Sequence, residues 1–304
     1  MQEQERRSRG FGYSVLVISA IIWGAEGILV QLCYAAGFTL PLLLSVRYLS
    51  ALPVLVVVCK YFKAPLIVPK GVRLRLLGVS VFFIAMVFMF YSALAMLPVT
   101  LAVLFFYAFP ALTAIICAVT SRQPFDLPHI IALIISAAGL ILLYWTSVAL
   151  IPLLGLLAAL GAALFQACKL IGSQSLIKEL GVWSFVFNIT LISAIAYTVF
   201  AVADGGFAPL LNIAPQGWLY VALLGMLVTV CGNLFMYLGI RIVGAVDASI
   251  ICLLEPPSAA ILAMIILGDS LTPGKIFGGF LILLAVTIPA VVELKKERGL
   301  KASV

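Results

Sequence analysis

Ten apolar stretches of about 20 residues follow one another along this chain, and no other feature constrains its fold as strongly. They lie approximately at 13–34, 41–61, 73–95, 99–119, 127–146, 150–173, 183–203, 216–239, 245–267 and 275–294. As a helix, each stretch is long enough to cross a hydrocarbon core of roughly 30 Å. Because the runs are continuous rather than alternating, they favour helices over a membrane barrel. The sequence therefore predicts an all-α polytopic membrane protein with ten transmembrane helices.

The composition excludes the soluble classes of protein. Of the 304 residues, 65% are hydrophobic and 10% are charged, whereas soluble domains are about 45–50% apolar and about 25% charged. A water-soluble core of this size could not bury so much apolar surface. The net charge of +7 does not indicate nucleic-acid binding either, because the basic residues lie in short runs between the apolar stretches.

The distribution of Lys and Arg predicts the orientation of the chain. With the N-terminus in the cytoplasm, fifteen of the 18 basic residues fall inside, Lys275 falls outside, and Arg47 and Lys169 lie within spans. An odd number of spans would scramble this bias. We therefore expect a multi-pass protein of the plasma (inner) membrane, with no cleaved signal. Residues 1–12 and 295–304 are its predicted cytoplasmic tails.

The two halves of the chain resemble each other. Aligning Pro110 with Pro256 places a central proline in the fourth span of each half, and it predicts five-helix repeats at 13–146 and 150–294. Because five is an odd number, the second repeat must insert in the opposite sense to the first. Inverted repeats around a central cavity are typical of secondary transporters that work by alternating access. Tandem duplication of a purely structural module is the alternative.

Several short motifs also resemble a known family. They are Trp23-Gly24, Arg47, Leu254-Glu255-Pro256 and the turn at 267–272. Together they resemble EamA-type members of the drug/metabolite transporter superfamily, over nearly the whole chain. Asp269 stands where the family commonly has Glu, and the matching place in the first half, Arg122-Gln123, lacks the acid.

This resemblance implies ten helices around a central cavity and transport of a small organic solute. YddG-like amino-acid exporters belong to this family and provide a comparison. The fold does not fix the solute, because one fold serves many different functions. There is no Walker A sequence, so ATP is not the direct energy source. The six cysteines are scattered singly and predict no metal site, so we expect no cofactor.

Four charged residues lie inside spans, where charge is costly and is usually turned toward a bundle interior or a wet cavity. Glu26 and Arg47 fall at matching depths, roughly 12 Å and 9 Å from the outer ends of neighbouring helices. They predict an ion pair, which either gates the cavity and contacts the solute or merely neutralises two buried charges. Lys169 lies about 143 residues after Glu26 and is its equivalent in the second repeat. Because the repeats are inverted, the two residues are expected in opposite halves of the membrane. An ammonium and a carboxylate at the two mouths would suit a zwitterion, unless Lys169 snorkels to the cytoplasmic surface.

Glu255 lies at mid-span directly before Pro256 and Pro257. These prolines predict a break or kink that frees backbone carbonyls at the membrane midplane, where transporter sites usually lie. We expect Glu255 to contact the solute or to carry a coupling proton. The alternative is a protonated acid hydrogen-bonded to a neighbouring helix.

Polar aromatic residues and one asparagine complete the candidate site, through solute stacking or cation–π attraction, with ordinary packing as the alternative. They are Tyr91, Tyr107, Asn233 and Tyr237, of which Tyr91 and Tyr237 are repeat equivalents. His129, by contrast, is expected to be a solvated histidine at the inner mouth of the fifth span.

The function predicted from the sequence is therefore secondary transport of small metabolites, with export of amino acids favoured and transport of an organic cation as the alternative. A membrane enzyme acting on lipid-linked substrates is less favoured, because it would need clustered His, Asp or Glu near an interface. Expected partners are the small-molecule solute, protons as a candidate coupling ion and the surrounding lipids. We expect no nucleic acid and a monomeric protein.

Overall fold

The computed structural model describes residues 2–97, 99–120, 126–143, 152–205, 207–268 and 272–302, and every regular element in those ranges is a helix. Ten helices correspond to the predicted spans, the fifth of them in part. They are α1 (Gln2–Gly24 and Glu26–Ala35), α2 (Leu40–Tyr61), α3 (Lys70–Met96), α4 (Val99–Phe106 and Phe109–Val119), α5 (Leu127–Leu143), α6 (Leu153–Leu180), α7 (Val182–Ala203), α8 (Pro215–Val243), α9 (Ala245–Ile251 and Glu255–Leu267) and α10 (Pro273–Ala302).

Nine of these described helices are long and apolar enough to cross a membrane, and α5 is an apolar helix of 17 residues. The remainder of the predicted fifth span, 144–146, lies outside the described residues, as do the turns that contain Arg122-Gln123 and Asp269. The all-α fold class is confirmed. Helical structure also begins at Gln2 and continues to Ala302, well into the two predicted tails.

The packing of the helices shows the two-fold relationship between the repeats. α3 packs against α6 just as α8 packs against α1, and the contact of α4 with α6 is matched by that of α9 with α1. The pairs α2–α7, α4–α9 and α5–α10 each join equivalent helices of the two repeats. Exchanging the repeats therefore reproduces these contacts, as expected for two five-helix units of opposite orientation around a shared axis.

Two helices are interrupted at equivalent places, and proline explains both interruptions. Pro110 is the second residue of the latter half of α4, and Pro256 is the second residue of the latter half of α9. Proline lacks an N–H and clashes with the carbonyl of the fourth residue before it, so a helix breaks directly upstream of it. The chain turns at 107–108 in α4 and forms a 3₁₀ turn at Cys252–Leu254 in α9. The predicted break in the ninth span is confirmed.

Two further irregularities lie close to these breaks. α1 is interrupted at Ala25, directly before Glu26, and the middle of α8 is wound as a π-helix over Leu224–Gly232. π-Helical segments are rare and frequently occur at functional sites. A Cβ added to Gly24 would lie 2.9 Å from the backbone nitrogen of Ala259, so α1 and α9 touch at the interruption. Four discontinuous helices therefore meet in the middle of the bundle.

Candidate functional site: a charged chamber between the repeats

The predicted ion pair between Glu26 and Arg47 is formed. Arg47 Nη1 lies 2.5 Å from Glu26 Oε1, and Arg47 Nε donates a hydrogen bond of 2.8 Å to Thr229 Oγ1 in the π-helical part of α8. The two side chains differ in exposure, since Arg47 is 7% exposed and Glu26 is 31% exposed. The guanidinium is therefore locked between helices of both repeats, while part of the carboxylate remains accessible.

Lys169 lies inside the bundle rather than at a surface. It is 2% exposed, so the snorkelling alternative is wrong. Its ammonium lies 5.0 Å from the centre of the Phe83 ring and 5.8 Å from that of Trp23, within the range of cation–π attraction. Within the described ranges the ammonium makes no hydrogen bond or ion pair, although it interacts electrostatically with Glu26 and Glu255. A buried ammonium without a direct anionic partner is the least compensated charge at this site.

Glu255 begins the latter half of α9, directly after the 3₁₀ turn. Tyr107, which lies at the equivalent interruption of α4, hydrogen-bonds its side chain. Both residues are thus placed by the two proline breaks. Glu255 also interacts electrostatically with Glu26 and Lys169. The structure therefore brings the four predicted intramembrane charges into one cluster.

The two repeat-equivalent tyrosines lie in different environments. Tyr237 is buried, hydrogen-bonds Ser173 of α6, and meets the ring of Phe185 of α7 edge-on, with ring centres 4.8 Å apart. Tyr91 is only partly buried and lines a cavity of about 590 Å³. The tyrosine position is therefore closed in the second repeat and open in the first.

This cavity lies between α2, α3 and α7, in the half of the bundle farther from the chain termini. Its lining is apolar apart from Tyr91, Ser92 and Tyr197. Tyr91 interacts electrostatically with Glu26 and Arg47, although none of the four charged residues lines the cavity itself. Helices of both repeats line it, as expected for a central cavity, but its lining also includes the exposed side chains of Val81, Phe88 and Phe200.

Helix packing shows the same asymmetry as the tyrosines. α8 packs against both α6 and α7, whereas its counterpart α3 makes no comparably extensive contact with α1 or α2 in the described part of the chain. The contacts of α8 with α6 and α7 are made by its last segment, Asn233–Val243, in the half nearer the termini. Among the described residues, the helices are therefore packed more closely in the half nearer the termini than in the opposite half.

Asn233, like Tyr237, lies apart from the four charges in the described part of the chain. It is half-buried and follows Gly232, whose backbone carbonyl accepts a hydrogen bond from Ser19. Among the described residues, Asn233 makes no hydrogen bond to the charged cluster. Its place is beside Trp23, because a Cβ on Gly232 would lie 2.6 Å from Trp23 Nε1.

The expectation of a solvated His129 is wrong, and its partner Asp247 was not predicted. His129 is 5% exposed, and its Nε2 lies 3.0 Å from Oδ1 of Asp247, which is equally buried. Tyr13 donates a hydrogen bond of 3.0 Å to the other carboxylate oxygen, Oδ2. The histidine is therefore an internal residue near the termini face. Asp247 falls in the first turn of an apolar span and could have been found as a fifth intramembrane charge.

Ten helices in two equivalent units around an internal cluster of charged side chains define an integral, multi-pass membrane protein of the transporter class. The chain belongs to the EamA-like transporter family, whose model matches it twice, at residues 10–145 and 153–289. It is accordingly a transporter of the drug/metabolite type.

Comparison with solved structures shows the same fold. One crystal structure, described only as that of a protein, covers 93% of this chain and 98% of its own, with a TM-score of 0.76 and 16% sequence identity. At that identity the likeness concerns the fold alone. No curated protein matches the chain.

Proposed function

We propose that this protein is a secondary transporter of small zwitterionic metabolites, above all amino acids, which it exports across the inner membrane by alternating access. The observation that carries the proposal is Lys169, a buried ammonium with aromatic faces around it and no anion in direct contact. A solute carboxylate would supply the missing partner.

The ammonium group of a zwitterion would bind within the same cluster of charges. Glu255 and Glu26 both interact electrostatically with Lys169 without forming an ion pair with it in the described part of the chain. Glu26 is already paired with Arg47, so Glu255 is the acid left to take a solute ammonium. Trp23 and Phe83 would then flank the bound molecule. Two charges of opposite sign at a fixed separation select zwitterions over ions of a single sign.

Alternating access is supported by the unequal state of two equivalent sites. Tyr91 lines an open cavity, whereas Tyr237 is packed against α6 and α7. In an inverted repeat, exchanging the conformations of the two halves opens one face and closes the other. Export as the direction of net flux rests on the resemblance to amino-acid exporters, and the predicted cytoplasmic location of the termini places the present opening outside.

A ligand-dependent shift in thermal stability tests the solute class. Ligands that bind the folded state raise the melting temperature by mass action. We expect neutral amino acids to stabilise the purified wild-type protein, and organic cations and sugar phosphates to leave it unchanged. Lys169→Gln should abolish the shift. Lys178→Gln is the matched control, because Lys178 is exposed in the last turn of the same helix.

Stabilisation by organic cations alone would contradict the zwitterion proposal and favour the cation alternative. An equal amino-acid shift in wild type and Lys169→Gln would remove Lys169 from the site. Efflux of the stabilising amino acid from proteoliposomes, measured with Glu255→Gln beside wild type, then tests transport. Loss of both the shift and the efflux would assign Glu255 to solute contact.

A further inference from the structure

One face of α6 carries a row of polar side chains through the middle of the bundle. Gln166, Lys169 and Ser173 follow one another at intervals of three and four residues, so they lie on the same side of the helix. All three are buried, with 2% or less of each residue exposed. Gln166 lies at the middle of α6, which runs from Leu153 to Leu180. It is therefore next to Lys169 and near the membrane midplane, where transporter sites usually lie.

Gln166 differs from Ser173 in this row because its carbonyl oxygen has no partner. Ser173 Oγ donates a hydrogen bond of 2.6 Å to the backbone oxygen of Lys169, and the Ser173 side chain is also hydrogen-bonded to Tyr237. Gln166 Oε1, by contrast, is buried and accepts no hydrogen bond from the described residues. An amide that is buried without its hydrogen bond is unfavourable. A donor on a bound molecule would supply the missing partner.

The packing around Gln166 does not explain an amide at this position. Ala162, Ala163 and Ala167 of the same helix are fully buried, so small apolar side chains fill the neighbouring positions. Polar side chains that hold membrane helices together hydrogen-bond to a neighbouring helix, and Gln166 Oε1 has no such donor in the described part of the chain. Its oxygen is therefore available to a molecule that is not part of this chain.

The neighbouring charges indicate which donor this oxygen would accept. Lys169, one turn after Gln166, contacts no anion directly among the residues described. Side chains three residues apart on a helix have Cβ atoms about 5–6 Å apart. An α-amino acid carries its carboxylate and its ammonium on a single carbon atom, so a carboxylate at Lys169 brings the ammonium within reach of Gln166. A primary ammonium has three N–H bonds, and one of them can be donated to Gln166 Oε1 while Glu255 supplies the opposite charge.

We propose that Gln166 is a solute-binding residue, whose side-chain oxygen accepts a hydrogen bond from the primary ammonium of an α-amino acid held by Lys169 and Glu255. This inference rests on the proposed function and narrows its solute class. A zwitterion with a quaternary ammonium keeps both charges but has no N–H to donate. Such a molecule binds less tightly, because it leaves a buried acceptor without a partner.

Matched pairs of ligands separate the hydrogen bond from the charges. Glycine, L-alanine, L-leucine and L-phenylalanine are each titrated into the purified protein in a calorimeter, beside their N-trimethyl derivatives. We expect the wild type to bind an amino acid at least about tenfold more tightly than its derivative, as expected for a hydrogen bond to a charged group.

Gln166→Met keeps the length of the side chain and removes the amide. It should lower the affinity for the amino acid by about the same factor and leave the affinity for the derivative unchanged, so that the preference is lost. Gln216→Met is the matched control, because Gln216 is exposed in the first turn of α8. This control should keep the wild-type preference.

The unfolding free energy of the solute-free protein provides a second measurement, which does not depend on any ligand. Gln166→Met removes a buried acceptor that has no donor, so it should not lower this free energy. A clear loss of stability would show that the amide has a structural role, and it would overturn the proposal.

The outcomes distinguish this inference from the proposed function. If Gln166→Met discriminates within the pairs as strongly as the wild type, or if the wild type does not discriminate, the role of Gln166 is wrong while amino-acid binding stands. If no amino acid binds the wild type, the proposed function fails and the inference fails with it. Lys169→Gln should abolish binding of both members of each pair, and binding that survives this change would contradict the site itself.

Discussion

Replacing Glu26 and replacing Arg47 should lower the free energy of unfolding by unequal amounts, although each change breaks the same ion pair. Two unit charges about 4 Å apart attract by about 4 kcal/mol at an effective dielectric constant of 20. Because Glu26 is 31% exposed, solvent screening reduces this to about 2 kcal/mol. Glu26→Gln leaves the Arg47 guanidinium buried with only neutral partners, Thr229 among them. We therefore expect it to cost about 2–3 kcal/mol.

Arg47→Gln should cost less, about 1 kcal/mol, because the remaining carboxylate can be hydrated in the chamber. The double variant should be no less stable than Glu26→Gln, since it contains no unpaired charge. Reversible unfolding in mixed micelles would give the four free energies of a double-mutant cycle. The reasoning would be refuted if Arg47→Gln were the more damaging change, or if the coupling energy were below about 0.5 kcal/mol.

Three further predictions concern packing, hydrogen bonding and a surface charge. Gly278→Ala should destabilise the protein by about 2 kcal/mol, because the added Cβ would lie 2.6 Å from the backbone oxygen of Gly139. Reversible unfolding measures this loss, and an unchanged stability would contradict the close contact. Tyr237→Phe should lower the unfolding free energy by about 1 kcal/mol, since it loses a buried hydrogen bond. Tyr91→Phe, in the open cavity, should lower it by less, and the reverse order would contradict the environments described for the two tyrosines. Glu179→Gln should change the unfolding free energy by about 0.5 kcal/mol or less, because its ion pair is exposed, and a loss of 2 kcal/mol would show a larger structural role.

The sequence predicted best what depends on local chemistry and on the bilayer. Apolar length specified the ten spans, and proline chemistry specified the break before Glu255. The Glu26–Arg47 pair could also be predicted, because the two residues lie on consecutive helices and their depth in the membrane follows from the helical rise. These features require no knowledge of how distant helices pack.

Features that depend on contacts between distant helices were missed. Asp247 is 118 residues from His129 and 234 residues from Tyr13, and no local pattern joins the three. Whether Lys169 is buried or reaches the surface could not be predicted for the same reason, since its burial depends on Phe83 and Trp23 from other helices. Sequence similarity between the repeats also could not show which copy of the tyrosine position is open, because one sequence serves both conformations.

In the proposed function, the two inverted repeats enclose one chamber that is accessible from a single face at a time. Cysteines placed at the equivalent tyrosines test it directly, by labelling with a membrane-impermeant maleimide in sealed vesicles of both orientations and subtracting the wild-type signal. We predict that Tyr91→Cys is labelled only from the face opposite the termini, and that Tyr237→Cys is labelled from neither face. Labelling of Tyr237→Cys from the termini face, at a rate equal to that of Tyr91→Cys from its own face, would contradict the account.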